Sequence, residues 1–247
     1  MGQWRVAVAG GTGRTGREIV RYLNAEEGIE VVGVVARSLA GQSMSVVLPG
    51  LKRHIPIYGD LAELLRIDPP HVLVDFTTPQ AAKRHFFMCI ERGINPIIGT
   101  TGFTDADIAE FAEACAAFKI GAAVIPNFSI GALALRLAAQ VVAGMLDDVA
   151  VLETYPHSKR DLPSGTSQRL AALLATGGPD NPKAVPIHSV RLDGVLPQQE
   201  VRFGGQGEMV AISHLVSDRA CFGRGVAMAV KKIAKFPTLI QDLDFFI

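Results

Sequence analysis

The chain has 247 residues with 24 Lys+Arg balanced by 24 Asp+Glu, so its formal net charge is zero. No global basic field exists to hold nucleic acid or an anionic membrane, which argues against both as partners. Hydrophobic residues at 49% and charged residues at 19% exclude whole-chain disorder and leave one large domain or two modest ones.

Residues 4–9, WRVAVA, form a short valine-rich run followed at once by glycines and then by the helical pattern REIVRYLNAEE. That order predicts strand, tight turn and helix. EVVGVVA after Gly28, HVLVDF and NPIIGT read as further strands, with amphipathic helical stretches at 80–92 and 104–118. The alternation predicts a doubly wound parallel sheet of the Rossmann type, covered on both faces. GAAVIP (121–126) reads as one more buried strand, and SIGALALRLAAQVVAGML as a largely buried helix.

After that helix the pattern changes. VAVLETY is a strand, PHSKRDLPSG a loop, TSQRLAALLA a helix and TGGPDNP a Gly/Pro/Asn loop, and three strand-like runs follow without intervening helices: VPIHSVRL, QQEVRFG and EMVAISHLV. They predict a second, smaller α+β domain with an antiparallel or mixed sheet. The last predicted helix, about 223–235, fits on either domain.

The longest uncharged stretch, Ile120 to Leu135, contains Gly121, Pro126, Asn127 and Gly131 and falls short of the roughly 20 apolar residues of a membrane span. Cys89, Cys115 and Cys221 show no CxxC spacing and read as free thiols of a reducing compartment. The start of the chain leaves no room for a secretory signal before the first strand. The expected location is the cytoplasm, or a plastid stroma if a transit peptide precedes this sequence.

The first chemical motif is VAVAGGTGRTGRE, where Gly11, Gly13 and Gly16 satisfy GxGxxG between a strand and a helix. Glycines there allow a sharp turn, close approach of a pyrophosphate and tight helix packing, while helix amides and Arg14 meet the phosphates. About 20 residues on, where an NAD-selective site carries an acid, this chain has Ala36-Arg37-Ser38. With Arg37 and Ser38 able to bind a 2′-phosphate, NADPH is the expected cofactor, with NADH also accepted. A glycine-rich turn without ligand and a solvated Arg37 are the plain alternatives.

DFTTP (75–79) and GTTG (99–102) stand at the carboxyl ends of predicted parallel strands, the edge where such sheets bind ligands. Their threonines fit either amide and carboxylate binding or ordinary turn chemistry. YPHSKRDLPSGTS (155–167) ends in Ser164, Gly165 and Thr166, a sequence that opens a helix, with His157, Lys159 and Arg160 just before it. An anion-binding helix start beside a cation suits a carboxylate substrate and a proton donor, although an N-cap after a basic loop reads equally well. His54, His71, His85, His188 and His214 lack metal-ligand spacing, so no metal is expected and structural or surface roles are assigned. GxSxG is absent, leaving no visible hydrolase nucleophile.

Together, VAGGTGRTGR, DFTTP, GTTG, PNFSIG, SKRDLPSGTS and ISHLVSDRACFGRG resemble the 4-hydroxy-tetrahydrodipicolinate (dihydrodipicolinate) reductase family, in order along nearly the whole chain. The resemblance implies a dinucleotide-binding Rossmann domain of residues 1–126 completed by the C-terminal residues 219–247, a central substrate-binding and tetramerisation domain of residues 127–218, and NAD(P)H-dependent reduction of a cyclic imine carboxylate in lysine biosynthesis. It implies that Gly10, Gly11, Thr12, Gly13, Arg14, Thr15 and Gly16 meet the cofactor phosphates and that Gly99, Thr100 and Thr101 lie by the nicotinamide and substrate. Phe76, Thr77, Asn127 and Phe128 would line the same crevice. Ser164, Gly165 and Thr166 would hold a substrate carboxylate, and Lys159 would protonate the imine as hydride arrives.

The family pattern E-x-H-H-x-x-K-x-D-x-P-S-G-T is met here by Glu153-Thr154-Tyr155-Pro156-His157-Ser158-Lys159-Arg160-Asp161 and then Leu162 to Thr166. Tyr155 and Pro156 therefore stand in place of two histidines, the first of which is assigned an acid or orienting role in the family and the second a substrate contact. Tyr155 can donate a hydrogen bond, but a phenol with an ordinary pKa near 10 is a poorer proton shuttle than imidazole. His157, two residues on, is the other candidate, and Pro156 removes a backbone donor. Two alternatives stay open: a divergent imine or enamine reductase of another pathway, and a non-catalytic relative that assists assembly.

Overall fold

In the computed structural model, which describes residues 3–51, 53–146, 148–175 and 184–247, the alternating pattern becomes a wholly parallel seven-stranded sheet. The loop read at 176–182 lies outside the described residues. The strands are β1 (Trp4–Ala9), β2 (Ile29–Val35), β3 (Ile57–Tyr58), β4 (Val72–Asp75), β5 (Asn95–Ile98), β6 (Ala122–Val124) and β11 (Leu239–Ile240). Their spatial order is β11-β6-β5-β4-β1-β2-β3, which reverses direction between β1 and β4. Val6 to Ala9 and Val72 to Val74 are fully buried, as strands covered on both faces require.

The covering helices follow the apolar spacing. In α1 (Gly16–Ala25), Ile19, Val20 and Leu23 are buried at three- and four-residue intervals. α3 (Pro79–Ile90) and α4 (Asp105–Phe118) pack through Phe86 and Phe111, stacked at 4.2 Å between ring centroids, and Lys83 of α3 binds Asp107 of α4 at 2.6 Å. Thr104 and Asp107 form a reciprocal capping box that starts α4. α2 (Leu61–Ile67), with β3 before it, lies in a stretch where the sequence reading placed no element. A two-residue strand and a seven-residue helix are too short to display a period.

Cα proximity divides the chain into one unit of residues 1–128 and 222–247 and a second of Ser129–Cys221. The second unit contains α5 (Ile130–Ala143), α6 (Gly165–Leu174) and a four-stranded sheet of order β10-β9-β7-β8. β7 (Asp148–Tyr155) runs parallel to β8 (Ile187–Arg191) and antiparallel to β9 (Gln198–Gly205), which pairs antiparallel with β10 (Glu208–Leu215). The sheet is thus mixed. Val149, Val151, Val201 and Phe203 on its inner face meet Leu135, Ala139, Leu170 and Leu174 of the two helices.

The last helix, α7 (Cys221–Lys232), belongs mainly to the first unit, where Gly223 lies against Tyr22 and Gly225 against the Phe128 carbonyl. A Cβ at Gly225 would collide with that backbone oxygen. Alanine normally gains up to about 1 kcal/mol over glycine inside a helix. Gly225→Ala should instead destabilise the chain by about 1–3 kcal/mol, because a fixed carbonyl cannot yield. Urea unfolding at constant m-value measures this.

Candidate functional site

The first unit gathers its chemistry at the carboxyl ends of β1, β2, β4 and β5. Gly10 takes φ +77°, a left-handed conformation, and a Cβ there would come within 2.5 Å of the Phe76 carbonyl oxygen. A Cβ at Gly16 would strike the Gly10 carbonyl. The turn is therefore as tight as the glycine pattern requires. Gly10 N–H donates to Val35 and Gly13 N–H to Gly10, whereas the amides of Thr12, Arg14 and Thr15 have no partner among the described residues. Thr15, the N-cap of α1, makes no side-chain capping bond, so the helix start keeps donors for an anion.

Two cavities share this edge. The larger, about 900 Å³, is walled by Gly10, Thr12, Gly13, Arg37, Ser38 and Thr77, with Asp60, Arg84 and His85. The smaller, about 380 Å³, is walled by Gly13 to Gly16, Phe76 to Pro79 and Gly99 to Thr101. They have Gly13, Phe76, Thr77 and Thr78 in common. Gly99 is obligatory beside the Phe76 ring, with which its Cβ would collide. Gly11 turns away and packs on Val34 and Val20 of the core, and Asn127 and Phe128 line neither cavity. Phe128 is buried, its ring tilted against Phe76 at 6.1 Å.

Two acids here carry no role in the sequence reading. Asp60 brings a carboxylate to the larger cavity from the end of β3, although its Oδ1 is engaged in accepting the Glu63 amide at 2.8 Å. Asp75 ends β4 with no exposure at all, and its Oδ1 accepts from Thr77 N (2.9 Å), Thr77 Oγ1 (2.6 Å) and Thr100 Oγ1 (3.1 Å). Its Oδ2 lies 2.7 Å from His85 Nδ1. The Thr77 and Thr100 hydroxyls are thus donors to Asp75 instead of open ligand groups. Burial, together with the Asp75 charge, pushes the nearby Cys89 thiol well above its ordinary range.

The second unit presents the 155–167 loop. Glu153, 1% exposed, accepts from the Ser164 amide at 3.1 Å, from Ser189 Oγ at 2.8 Å and from Arg191 at 3.0 Å. Burial alone would raise its carboxyl, but hydrogen bonds led by Ser164 outweigh burial and hold it below the usual range. Ser164 Oγ caps α6 by accepting from Ser167 N and also bonds Ser167 Oγ, so this serine is engaged at both amide and hydroxyl. Thr166 is half-buried and Gly165 exposed.

Lys159 Nζ lies 2.8 Å from Asp161 Oδ1, and Asp161 Oδ2 accepts from Gly165 N at 3.4 Å. One protein carboxylate thus bridges the loop lysine and the helix-start amide. Lys159 holds the Asp161 carboxyl below its ordinary range. Tyr155, 9% exposed, has Lys159 Nζ 5.6 Å and the Arg191 guanidinium 5.4 Å from its ring centroid, both within cation–π range. His157 is exposed. Among the described residues no cluster of His, Cys, Asp or Glu is placed to hold a metal, and no helix is long and apolar enough to cross a membrane.

Comparison with known proteins gives a consistent result. The family model "Dihydrodipicolinate reductase, N-terminus" matches residues 4–128 and "Dihydrodipicolinate reductase, C-terminus" matches residues 130–245. The chain is 35% identical to the 4-hydroxy-tetrahydrodipicolinate reductase of Geobacillus kaustophilus over 97% of both chains. It is 36% identical to that of Halalkalibacterium halodurans, covering 97% of this chain and 98% of the relative. Among solved structures, dipicolinate-bound dihydrodipicolinate reductase from Paenisporosarcina sp. TG-14 is similar with TM-score 0.82 and 29% identity over 99% of this chain and 100% of that one. Amine dehydrogenase from Mycobacterium smegmatis, at 15% identity and TM-score 0.69 over 98% and 95%, shares the fold.

Replacement of Glu153 by Gln should cost about 2–3 kcal/mol at neutral pH, because Arg191 loses its charge partner in a buried setting. A carboxyl held low in the fold stabilises it above the ordinary glutamate pKa of about 4.3 and loses that contribution as pH falls through the folded value. The difference in melting temperature between the wild-type chain and Glu153→Gln should therefore be full at pH 7 and shrink below about pH 4.

Proposed function

Because the chain belongs to the dihydrodipicolinate reductase family across nearly its whole length, we propose that it is an NAD(P)H-dependent oxidoreductase that reduces 4-hydroxy-tetrahydrodipicolinate to tetrahydrodipicolinate. That reaction is a step of lysine and diaminopimelate biosynthesis. The observation that carries the reading within the molecule is the carboxylate of Asp161 bridging Lys159 and the Gly165 amide. A loop that holds one carboxylate in this way has the donors for the carboxylate of a substrate.

The cleft of the first unit fits a pyridine nucleotide. Unpartnered amides of Thr12, Arg14 and Thr15, the α1 start and the Arg14 side chain suit the pyrophosphate. The missing Cβ atoms at Gly10 and Gly16 let the turn close on the Phe76 and Gly10 carbonyls, and that at Gly99 lets the end of β5 pack directly on the Phe76 ring. NADPH is the preferred form in this reading: Arg37 and Ser38 on the wall of the larger cavity bind the 2′-phosphate. Asp60 opposes this weakly because its carboxylate caps α2. When bound, the reduced nicotinamide supplies the hydride.

Lys159 acts as the proton donor. As negative charge develops on the conjugated imine, the ammonium stabilises it and then transfers its proton. The substrate carboxylate displaces Asp161 from Lys159 and from the Gly165 amide, with Thr166 completing the site. Ser164 keeps the loop closed on Glu153. Tyr155 supplies a ring face under the ammonium where the family pattern carries a histidine, which leaves His157 as the remaining imidazole of the loop. The Tyr155-Pro156 pair favours a second reading, a related cyclic imine carboxylate as substrate, and an imine panel separates the two. A homotetramer is the assigned assembly. The edge strand β10 supports it by exposing Met209, Val210 and Leu215.

Lys159→Ala should lower turnover about 100-fold or more while leaving nucleotide affinity unchanged. Loss of NADPH absorbance with freshly generated 4-hydroxy-tetrahydrodipicolinate, run beside a fluorescence titration of NADPH, measures both. Arg37→Ala should weaken NADPH about tenfold and leave NADH nearly unaffected. An unchanged ratio of the two affinities would remove Arg37 from the 2′-phosphate site.

A further inference from the structure

The sequence assigns His85 a structural or surface role, yet the residue lines the larger cavity and is linked through Asp75 to Thr77 and Thr100 of the smaller one. Its ring lies on the wall of the larger cavity. Its Nδ1 is 2.7 Å from Asp75 Oδ2, and a carboxylate only accepts, so Nδ1 carries the hydrogen. The other oxygen of Asp75 holds the Thr77 amide and hydroxyl, from the β4–α3 loop, and the Thr100 hydroxyl, from the β5–α4 loop. Thr77 and Thr100 both line the smaller cavity. The His85 side chain is 14% exposed and that of Asp75 1%.

We propose that His85 is a positioning residue for nucleotide binding, acting through Asp75 to hold the β4–α3 and β5–α4 loops in their ligand-accepting conformation. The inference rests on the pyridine-nucleotide reading of the cleft. Oδ2 has no other donor among the described residues. Without His85 a buried carboxylate oxygen is left unsatisfied, and rotation of Asp75 toward another donor releases Thr77 and Thr100 together. The ring therefore sets the shape of one cavity while standing in the wall of the other.

The test compares substitutions that keep different halves of the imidazole. His85→Asn places an amide nitrogen near Nδ1, His85→Gln places one near Nε2, and His85→Leu keeps neither. Binding of NADPH and NADH is read by nicotinamide fluorescence, with thermal melting to verify folding. His85→Asn should bind within about threefold of the wild-type chain, and His85→Gln and His85→Leu about tenfold or more weaker. Thr100→Val should weaken binding several-fold alone and add nothing in the His85→Leu background, a coupling that bulk stability does not produce.

His85→Leu within about twofold of wild type, or His85→Asn no better than His85→Gln, overturns the proposal. If His85→Leu does not fold, the Asn and Gln pair decides by the same ordering. Failure of the wild-type chain to bind either nucleotide overturns the cleft reading and this proposal with it, whereas wild-type binding with the wrong order of variants overturns the proposal alone.

Discussion

The carboxyl edge of the parallel sheet depends on the closeness of two backbones, the Gly10 carbonyl and the Gly16 α-carbon, between which no side-chain atom fits. That contact fixes where β1 ends and where α1 begins. It leaves the amides of Thr12, Arg14 and Thr15 without a partner among the described residues, because a turn this tight has no room to satisfy them internally. Gly10 also abuts the Phe76 carbonyl, so the same constraint reaches across the reversal point of the sheet to β4. The wall of each cavity is built from one side or the other of that contact.

A second physical theme recurs in both units: a buried carboxylate that organises a loop by accepting more than one donor. Asp75 gathers Thr77, Thr100 and His85 in the first unit, and Glu153 gathers Ser164, Ser189 and Arg191 in the second. Neither anion is exposed to water, so each holds its loop only while its donors stay in place. Asp161 differs: it is half exposed and shared between Lys159 and Gly165. An exposed carboxylate on two donors is readily exchanged for another.

The doubly wound sheet was legible because β1, β2, β4 and β5 are buried valine- and isoleucine-rich runs separated by helices long enough to show a period. β3 and α2 were not, being too short for one. The glycine turn was legible because Gly10 and Gly16 answer a steric demand that only glycine meets. The pairs Asp75 with His85 and Glu153 with Arg191 were not, because partners ten and 38 residues apart meet only through packing. The one available signal was an acid closing a strand with a histidine on the next helix. Thr77, Thr100 and Ser164 were visible as polar groups at the right edges, but their commitment to internal carboxylates is a tertiary fact.

The chain leaves the first unit after Phe128 and returns to it at Phe222. The sheet edge strand β11 pairs with β6 only when Leu239 and Ile240 are present. Vectorial synthesis therefore delivers the inserted unit whole while its host still lacks α7 and an outer strand. The segments that complete the first unit thus follow the whole of the second in the chain, so the unit that begins first is the later of the two to have all its parts.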